Sequence, residues 1–284
     1  MIQRLLLVAL AALVPLIQRG VDARRIALGG QEDILYLWSG EQVRRLSPGL
    51  EDVMADIYWL RTVQYFGGQR AFAKEKRFDL LEPLIDITTT LDPRFELAYR
   101  YGAVFLAEPP PSGAGRPRAA VALLERGVRA LPQSWRIRQD LGFFHFFFLG
   151  DSREAARILL EAADLPGTPH WLRTAAGDFL REGGERETSR QVWRHLAEQS
   201  EGQMRDNALV NLARLDALDG QDALQRDVDE FTRRFGRRPA ALGELAGAGL
   251  LRAPLVDPAK VPYAYDPATG RVSIARKSFF WRAS

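Results

Sequence analysis

The 284-residue chain contains no cysteine, so it forms no disulfide and offers no thiolate ligand to a metal ion. Histidine is scarce as well. His145, His170 and His195 fall on three different predicted helices, and none has a carboxylate or a second histidine four residues further on. This spacing excludes a local pair of metal ligands. We therefore predict neither a metal site nor a cofactor.

Motifs for nucleotide or hydrolytic chemistry are also missing. The sequence has no Gly-x-Ser-x-Gly, no phosphate-binding loop and no dinucleotide-binding glycine pattern, and Gly183-Gly184 fits the end of a helix. The acidic residues Glu51, Asp52 and Asp56 stand at the start of a predicted helix, where carboxylates interact favourably with the helix dipole. We predict that the protein is not an enzyme.

Lysine is scarce too, because only four of the 39 basic residues are lysines and the others are arginines. A GC-rich genome produces this bias, so the sequence pI of 9.3 and net charge of +3 are weak evidence for a nucleic-acid partner. Such a partner requires a concentrated basic stripe. The arginines between residues 116 and 138 are spread over two predicted helices and are interpreted as a solvated face. No nucleic-acid partner is expected.

A run of thirteen apolar residues, Leu5 to Ile17, follows a basic start. As a helix it is about 20 Å long, whereas the hydrocarbon core of a bilayer is about 30 Å thick. With the small-residue site at Val21-Asp22-Ala23, it fits a secretory signal peptide. Cleavage, retention as a short membrane anchor, and a buried amphipathic helix all stay open. The first two predict an inner-membrane-anchored protein that faces the periplasm, or a protein secreted to the periplasm.

Glycines and prolines recur along the middle of the chain with the spacing of a helical hairpin. The glycines lie inside predicted amphipathic helices, and the prolines mark helix ends: Gly102, Gly142 and Gly177, with Pro93, Pro132 and Pro166. Intervals of about 34 residues are the length of one two-helix repeat. A surface loop, Glu108 to Gly115, accounts for the longer interval from Gly102 to Gly142. The period predicts an all-α fold, an α-solenoid of stacked antiparallel hairpins.

Hydrophobic periodicity predicts the core faces of three helices. A helix that starts near Glu51 is apolar around most of its circumference, so we expect it to be largely buried. Two other helices, 134–149 and about 221–235, carry apolar residues at i, i+4, i+7 and i+11. These predicted core residues are Ile137, Leu141, Phe144 and Phe148 in the first, and Leu224, Val228, Phe231 and Phe235 in the second.

Small residues at fixed places let the two helices of a hairpin touch. The residues that show this pattern are Leu141-Gly142, Ala155-Ala156, Ala162 and Pro166, and Tyr101-Gly102, Ala119-Ala120 and Pro132. On these residues the chain resembles the tetratricopeptide repeat (TPR) family over about residues 51–235. The stretch from Leu35 to Gly67 is similar to the leader region of exported bacterial repeat proteins. We therefore divide the chain into residues 1–23 (signal peptide or anchor), 24–50 (leader), 51–235 (repeats) and 236–284.

The last segment, 236–284, resembles the soluble end of type II secretion pseudopilins. The residues that carry this resemblance are 238–245, 249–251, Asp257-Pro258 and 262–267. It implies a short helix, a loop and a small β-hairpin, with a turn at Asp266–Gly270. Calcium is not expected, since a basic tail stands where the pseudopilins carry acidic ligands. We interpret the segment as a cap on the last repeat, and a docking module is the alternative.

The TPR resemblance implies that the first helix of each hairpin lines a concave groove, which binds a protein or peptide partner. Groove positions are counted from the small residue in the middle of that helix: Gly102, Gly142, Gly177 and Ala213. This count predicts the following groove residues: Tyr99, Leu106, Arg136, Gln139, Phe143, Phe146, Phe147, Trp171, Asp178, Arg181, Asn207 and Arg214.

Phe143, Phe146 and Phe147 form a second apolar face, because their helix already has a complete core stripe. Such a face is expected to be covered. A partner covers it, or the chain's own amino-terminal segment or its tail, Phe279-Phe280-Trp281, folds onto it.

The resulting hypothesis is a non-catalytic protein–protein interaction scaffold, tethered to the membrane or periplasmic, with a secretion or pilus-like assembly as one setting. If the amino-terminal segment is not cleaved, the membrane is a second partner. Two alternatives are a glycan-binding or enzyme-associated repeat protein, in which an aromatic such as Trp171 stacks on a sugar, and a cytoplasmic nucleic-acid adaptor.

Overall fold

The computed structural model describes residues 38–281, which are mostly helical, with neighbouring helices packed in pairs. The predicted signal or anchor segment, its cleavage site at Ala23 and the first part of the leader lie outside the described residues. The helices and strands below all belong to one compact unit, which begins at Gly40. Between residues 38 and 281, no helix is both long enough and apolar enough to cross a membrane.

Residues 38–281 contain eleven α-helices and one two-stranded sheet. The first five helices are α1 (Gly40–Leu46), α2 (Glu51–Ala71), α3 (Leu81–Leu91), α4 (Glu96–Ala107) and α5 (Pro117–Ala130). The next five are α6 (Trp135–Phe144), α7 (Ser152–Ala163), α8 (Trp171–Glu182), α9 (Arg186–Gln199) and α10 (Gly202–Phe235). The last elements are α11 (Gly243–Gly247), β1 (Ala264–Asp266) and β2 (Arg271–Ser273). Helix packs on helix in the pairs α2–α3, α4–α5, α6–α7 and α8–α9.

Helix α2 is buried on one side only, so the prediction that it is largely buried is wrong. Its buried side packs on α3 and reaches α4, where the ring of Phe66 lies 4.1 Å from that of Phe105. The opposite side is exposed and carries Val53, Ile57 and Leu60. An apolar pattern shows which residues a neighbouring helix could cover, but it does not show whether such a helix is present. In the described part of the chain, no helix packs on this side of α2.

Glycines in α6 and α8 let each helix approach its partner closely. A Cβ on Gly142 would lie 2.8 Å from Leu159 Cδ2, and a Cβ on Gly177 would lie 2.7 Å from Trp193 Cε2. The ring of Trp193 is completely buried. The distance at Gly142 confirms the predicted role of small residues at the contact α6–α7, and Gly177 makes a contact of the same kind between α8 and α9.

Replacing Gly177 with alanine is expected to lower the free energy of unfolding by up to about 2 kcal/mol, because overpacking costs about 1–3 kcal/mol. Alanine is the better helix former by roughly 1 kcal/mol, which offsets part of this cost. Gly67 in α2 is the matched control, because a Cβ there meets nothing within 4 Å. The same change at Gly67 should raise stability by about 0.5–1 kcal/mol. Urea denaturation measures both. Equal stabilisation at the two positions would contradict the close packing of α8 on α9.

Helix α6 continues into a π-helical turn, His145–Leu149, which ends at Gly150 with a φ of 68°. Of the predicted core stripe, Ile137, Leu141 and Phe144 are buried, but Phe148 is 39% exposed. A π turn is wider than an α turn, so it rotates the residues that follow Phe144 away from the α-helical phase. The prediction for Phe148 is wrong for this reason.

The predicted helix near 221–235 is the second half of one 34-residue helix, α10. Gly220 does not interrupt it. The hydroxyl of Tyr263 lies 2.4 Å from the place where a Cβ of Gly220 would be, and it donates a hydrogen bond to the carbonyl of Ala217 over 2.9 Å. Of the predicted stripe, Leu224, Val228 and Phe231 are buried, and Phe235, the last residue of the helix, is half exposed.

Residues 236–281 pack against the apolar side of α10. The predicted hairpin is present: Tyr265 lies opposite Val272, and the turn closes with a 2.7 Å hydrogen bond from Gly270 N to Asp266 O. The side chain of Gln225 accepts a hydrogen bond from Val272 N at 2.8 Å and donates one to Gly270 O at 3.0 Å. The hairpin is thus fixed to α10 by polar as well as apolar contacts.

The tail also belongs to this carboxyl-terminal core. Phe280 is only 8% exposed and lies in one apolar cluster with Leu224, Val228 and Phe231. The hydroxyl of Ser278 donates to Asp257, and Phe280 N donates to that hydroxyl at 3.1 Å. The expectation that the tail covers the phenylalanines of α6 is therefore wrong. The alternative that the amino-terminal segment covers them lies outside the described residues.

Candidate functional site: an aromatic face on α6 and α8

Four predicted groove residues come together on neighbouring helix pairs. The ring centroids of Phe146 and Phe147 are 5.1 Å apart, and that of Phe143 lies 6.0 Å from Phe147 and 6.0 Å from Trp171. We call Phe143, Phe146, Phe147 and Trp171 the aromatic face. It joins the end of α6 and its π turn to the first residue of α8.

A fifth ring, Phe179, supports the aromatic face from below. The ring of Phe146 stacks on it with centroids 3.9 Å apart, and Phe143 and Phe147 pack against it at 5.4 and 5.7 Å. Phe179 is buried. The groove count missed it because it lies on the side of α8 that faces α6. A signal was available, since Phe179 is the single phenylalanine of α8.

The upper surface of the aromatic face is open. Phe147 is 66% exposed, Trp171 is partly exposed, and Phe143 and Phe146 are half-buried. The neighbouring Phe148 and Leu149 are also exposed, since the π turn directs them outward. Covering an aromatic or large aliphatic side chain contributes about 1.5–3 kcal/mol. This contiguous apolar surface is therefore the candidate interaction site.

The predicted polar groove residues are mostly bonded within the chain. Arg181 pairs with Asp178 at 3.1 Å and with Glu182 at 3.0 Å, and its side chain is largely buried. The exposed Arg136 lies over the ring of Trp135, 4.6 Å from its centroid, and Gln139 is partly buried.

The last two predicted groove residues lie on α10. The exposed Asn207 accepts hydrogen bonds from the side chain of Asn211, and Arg214 donates one to the same asparagine at 2.8 Å. The described contacts do not bring Asn207 or Arg214 to the aromatic face.

Tyr99 and Leu106 are not surface residues, so their assignment to the groove is wrong. They are 3% and 1% exposed and lie in an apolar cluster with Ile85, Leu124 and Ile137. Helix α4 presents a different face from the one that the count from Gly102 assumes.

Tyr99 and Leu106 were assigned to the groove because the count along α4 starts one residue too early, at Gly102. In α6 and in α8, the residues five and one positions before the glycine are buried. In α4 the buried residues Ala98 and Gly102 stand five and one positions before Ala103. Two small residues stand side by side, and Ala103 is the equivalent of Gly142 and Gly177. One residue corresponds to about 100° around a helix, which turns a groove position into a core position.

Counting from Ala103 identifies three side chains that the sequence analysis missed: Leu97 and Val104, which are exposed, and Arg100, which is partly buried. Arg100 Nε donates to Asp140 Oδ2 of α6 at 2.5 Å. Burial raises the pKa of Asp140, and the hydrogen bond from Arg100 opposes this rise. This ion pair lies between α4 and the aromatic end of α6.

Within residues 38–281, no group of three histidine, aspartate or glutamate side chains is arranged to hold a metal ion. What the described arrangement offers is an apolar contact surface.

No protein-family model matches the sequence, and no curated protein matches it at a significant level. The resemblances to the TPR family and to the pseudopilins stay predictions. The candidate site rests on the geometry of the aromatic face.

Proposed function

We propose that this chain is a non-catalytic interaction scaffold that binds a peptide or protein segment on the aromatic face. One observation carries the proposal: three rings of the face rest on the buried Phe179, while the outermost ring, Phe147, stays open to solvent. A rigid aromatic surface binds at low entropic cost, because the rings are held in place before the partner arrives.

The polar surroundings favour a protein segment over a sugar. A glycan site needs carboxylates and amides that are ready to bond hydroxyl groups beside an exposed ring. Here Asp178 is paired with Arg181, and the rings that surround Phe147 are phenylalanines. The partner surface is therefore expected to be apolar.

The proposed arrangement is a TPR-like solenoid in which α4, α6 and α8 are the first helices of successive hairpins and line the concave side. Packing within each pair and between consecutive pairs supports it. We place the scaffold at the inner membrane or in the periplasm, with a secretion or pilus-like assembly as one setting. The apolar run Leu5–Ile17 is the support for this location.

The double substitution Phe143→Ser and Phe147→Ser is expected to abolish partner capture with a modest loss of stability. The measurement is crosslinking in the native host followed by mass spectrometry, with circular dichroism melts of the purified variants. Phe279→Ser is the matched control, because this ring is 67% exposed but packs with the carboxyl-terminal tail. Crosslinks that persist in the double variant, or that disappear equally in the control, would reject the proposal.

A further inference from the structure

The exposed side of α2 follows the seven-residue repeat of a coiled coil. In each repeat, the first and fourth positions, named a and d, face the partner helix. Counted from Leu50, the residue before α2, these positions are all exposed, and the first four are large and apolar. We call these residues the α2 seam: Leu50, Val53, Ile57, Leu60, Gln64 and Gly67.

The residue types along the α2 seam favour one arrangement of helices. Ile57 occupies an a position and Leu60 a d position, and a β-branched residue at a with leucine at d favours two parallel strands. Gln64, at the next a position, is polar, and a single polar a residue specifies register. A Cβ on Gly67 would meet nothing within 4 Å, so the chain itself leaves room for a second helix there.

Two opposite charges flank the middle of the α2 seam. Asp56 and Arg61 occupy the positions named g and e, and both are exposed. Five residues correspond to about 140° around a helix, so the two cannot pair with each other. Within the described residues, neither makes an ion pair, and the guanidinium of Arg61 lies over the ring of Tyr58, 5.4 Å from its centroid.

A parallel second copy of α2 would pair these charges. In a parallel helix pair, position g of one helix lies beside position e of the following repeat of the other helix. Asp56 of each copy would therefore lie beside Arg61 of the other copy. An antiparallel copy would bring g beside g and e beside e, which places like charges together and is unfavourable.

The charges also favour a second copy over the apolar run Leu5–Ile17 as the cover of the α2 seam. That run contains no charged residue, so it offers no partner to Asp56 or Arg61. A second copy supplies both charges, and it supplies the same a and d residues.

We propose that two copies of this chain associate through α2 as a parallel pair of helices centred on Ile57 and Leu60. Helix α2 has 21 residues and is about 32 Å long. A single helix pair of this length buries less than about 1,200 Å², which is typical of reversible complexes. We expect a micromolar Kd. The α2 seam shares no residue with the aromatic face, so this inference does not rest on the proposed function.

Sedimentation velocity of the full chain in a mild detergent tests the association over about 1–200 µM, the range of a micromolar Kd. The fraction of dimer should rise with concentration. Ile57→Ser together with Leu60→Ser should raise the Kd by about tenfold or more, because the centre of the seam is lost. Leu209→Ser is the matched control, since Leu209 is 48% exposed on α10, and it should leave the Kd unchanged.

Charge exchange tests the pairing of Asp56 with Arg61. Asp56→Arg alone and Arg61→Asp alone should each raise the Kd by about tenfold or more, because like charges then face each other. An equal mixture of the two variants should dimerise again, since each copy supplies the charge that the other needs. Asp206→Arg makes the same change of charge at an exposed position of α10 and should have no effect.

A disulfide tests the direction of the two helices. The chain has no cysteine, so Gln64→Cys introduces a single thiol. A disulfide needs Cα atoms about 4.4–6.8 Å apart, and a parallel pair brings the two copies of an a residue together. Oxidation should therefore link Gln64→Cys into a covalent dimer, whereas Asn207→Cys on α10 should stay monomeric on a non-reducing gel.

Three results would overturn the inference. One is a monomer over the whole concentration range. Another is a dimer whose Kd changes in neither the serine variant nor the charge variants, because the association would then use a different surface, such as the run Leu5–Ile17. The third is a dimer that Gln64→Cys does not link on oxidation, since its helices would not be parallel and in register.

Discussion

Replacing Phe280 with alanine is expected to lower the free energy of unfolding by about 3–5 kcal/mol, the usual cost of removing a buried phenylalanine ring. Phe280 fills the apolar core between α10, α11 and the hairpin, together with Phe231, Leu245 and Val272. Ser278, which bonds both Asp257 and the Phe280 amide, holds the tail in this position. The variant is expected to melt at a lower temperature, or to aggregate because the apolar side of α10 becomes exposed.

The adjacent Phe279 provides the control within the same tail. Its ring is exposed, so Phe279→Ala should change stability by no more than about 0.5 kcal/mol. Urea denaturation of the two variants separates a packed tail from a loosely attached one. If both variants were as stable as the parent chain, residues 236–281 would not be the cover of α10 that their contacts describe.

Such a cover buries an apolar side of α10 that would otherwise be exposed. The last helix has an apolar side and no following pair to bury it. At α10, the short helix and the hairpin bury Leu224, Val228 and Phe231. At the other end, α2 keeps Val53, Ile57 and Leu60 exposed within the described residues. The same apolar pattern therefore gives a core at one end and a surface at the other.

Local signals in the sequence were sufficient where the structure depends on local chemistry. The turn at Asp266–Gly270 forms as predicted, since its aspartate and glycine determine the geometry. Gly142 makes the predicted close contact, because only the absence of a side chain permits it. Phe143, Phe146 and Phe147 could be recognised as a second apolar face because their helix already had a core stripe.

The errors arose where packing decides between local alternatives. Gly102 and Ala103 are both small, and only the contacts of α4 show that Ala103 is the equivalent position. Phe148 continues an α-helical stripe in the sequence, but the π turn directs it to the surface. Phe179 supports the aromatic face from a different helix pair, and no local pattern relates it to Phe146. The first and the last of these features depend on neighbours that are remote in sequence.

Phe179→Ala should therefore have a large effect on stability, since Phe179 is buried. We expect a loss of about 3–5 kcal/mol in the free energy of unfolding, because the buried ring contacts three of the four rings of the aromatic face. The comparison is Phe147→Ala, which removes an exposed ring and should cost at most about 1 kcal/mol.

Phe179→Ala and Phe147→Ala are expected to differ in stability, but both are expected to weaken binding. Both should weaken capture of the partner: Phe147→Ala removes a contact ring, and Phe179→Ala removes the support that fixes Phe143 and Phe146. Chemical denaturation of the purified variants measures stability, and crosslinking in the native host followed by mass spectrometry measures capture. If Phe147→Ala destabilised the isolated chain as strongly as Phe179→Ala does, then Phe147 would be covered within the chain itself. In that case the aromatic face would be part of the core, because an open ring has few contacts to lose.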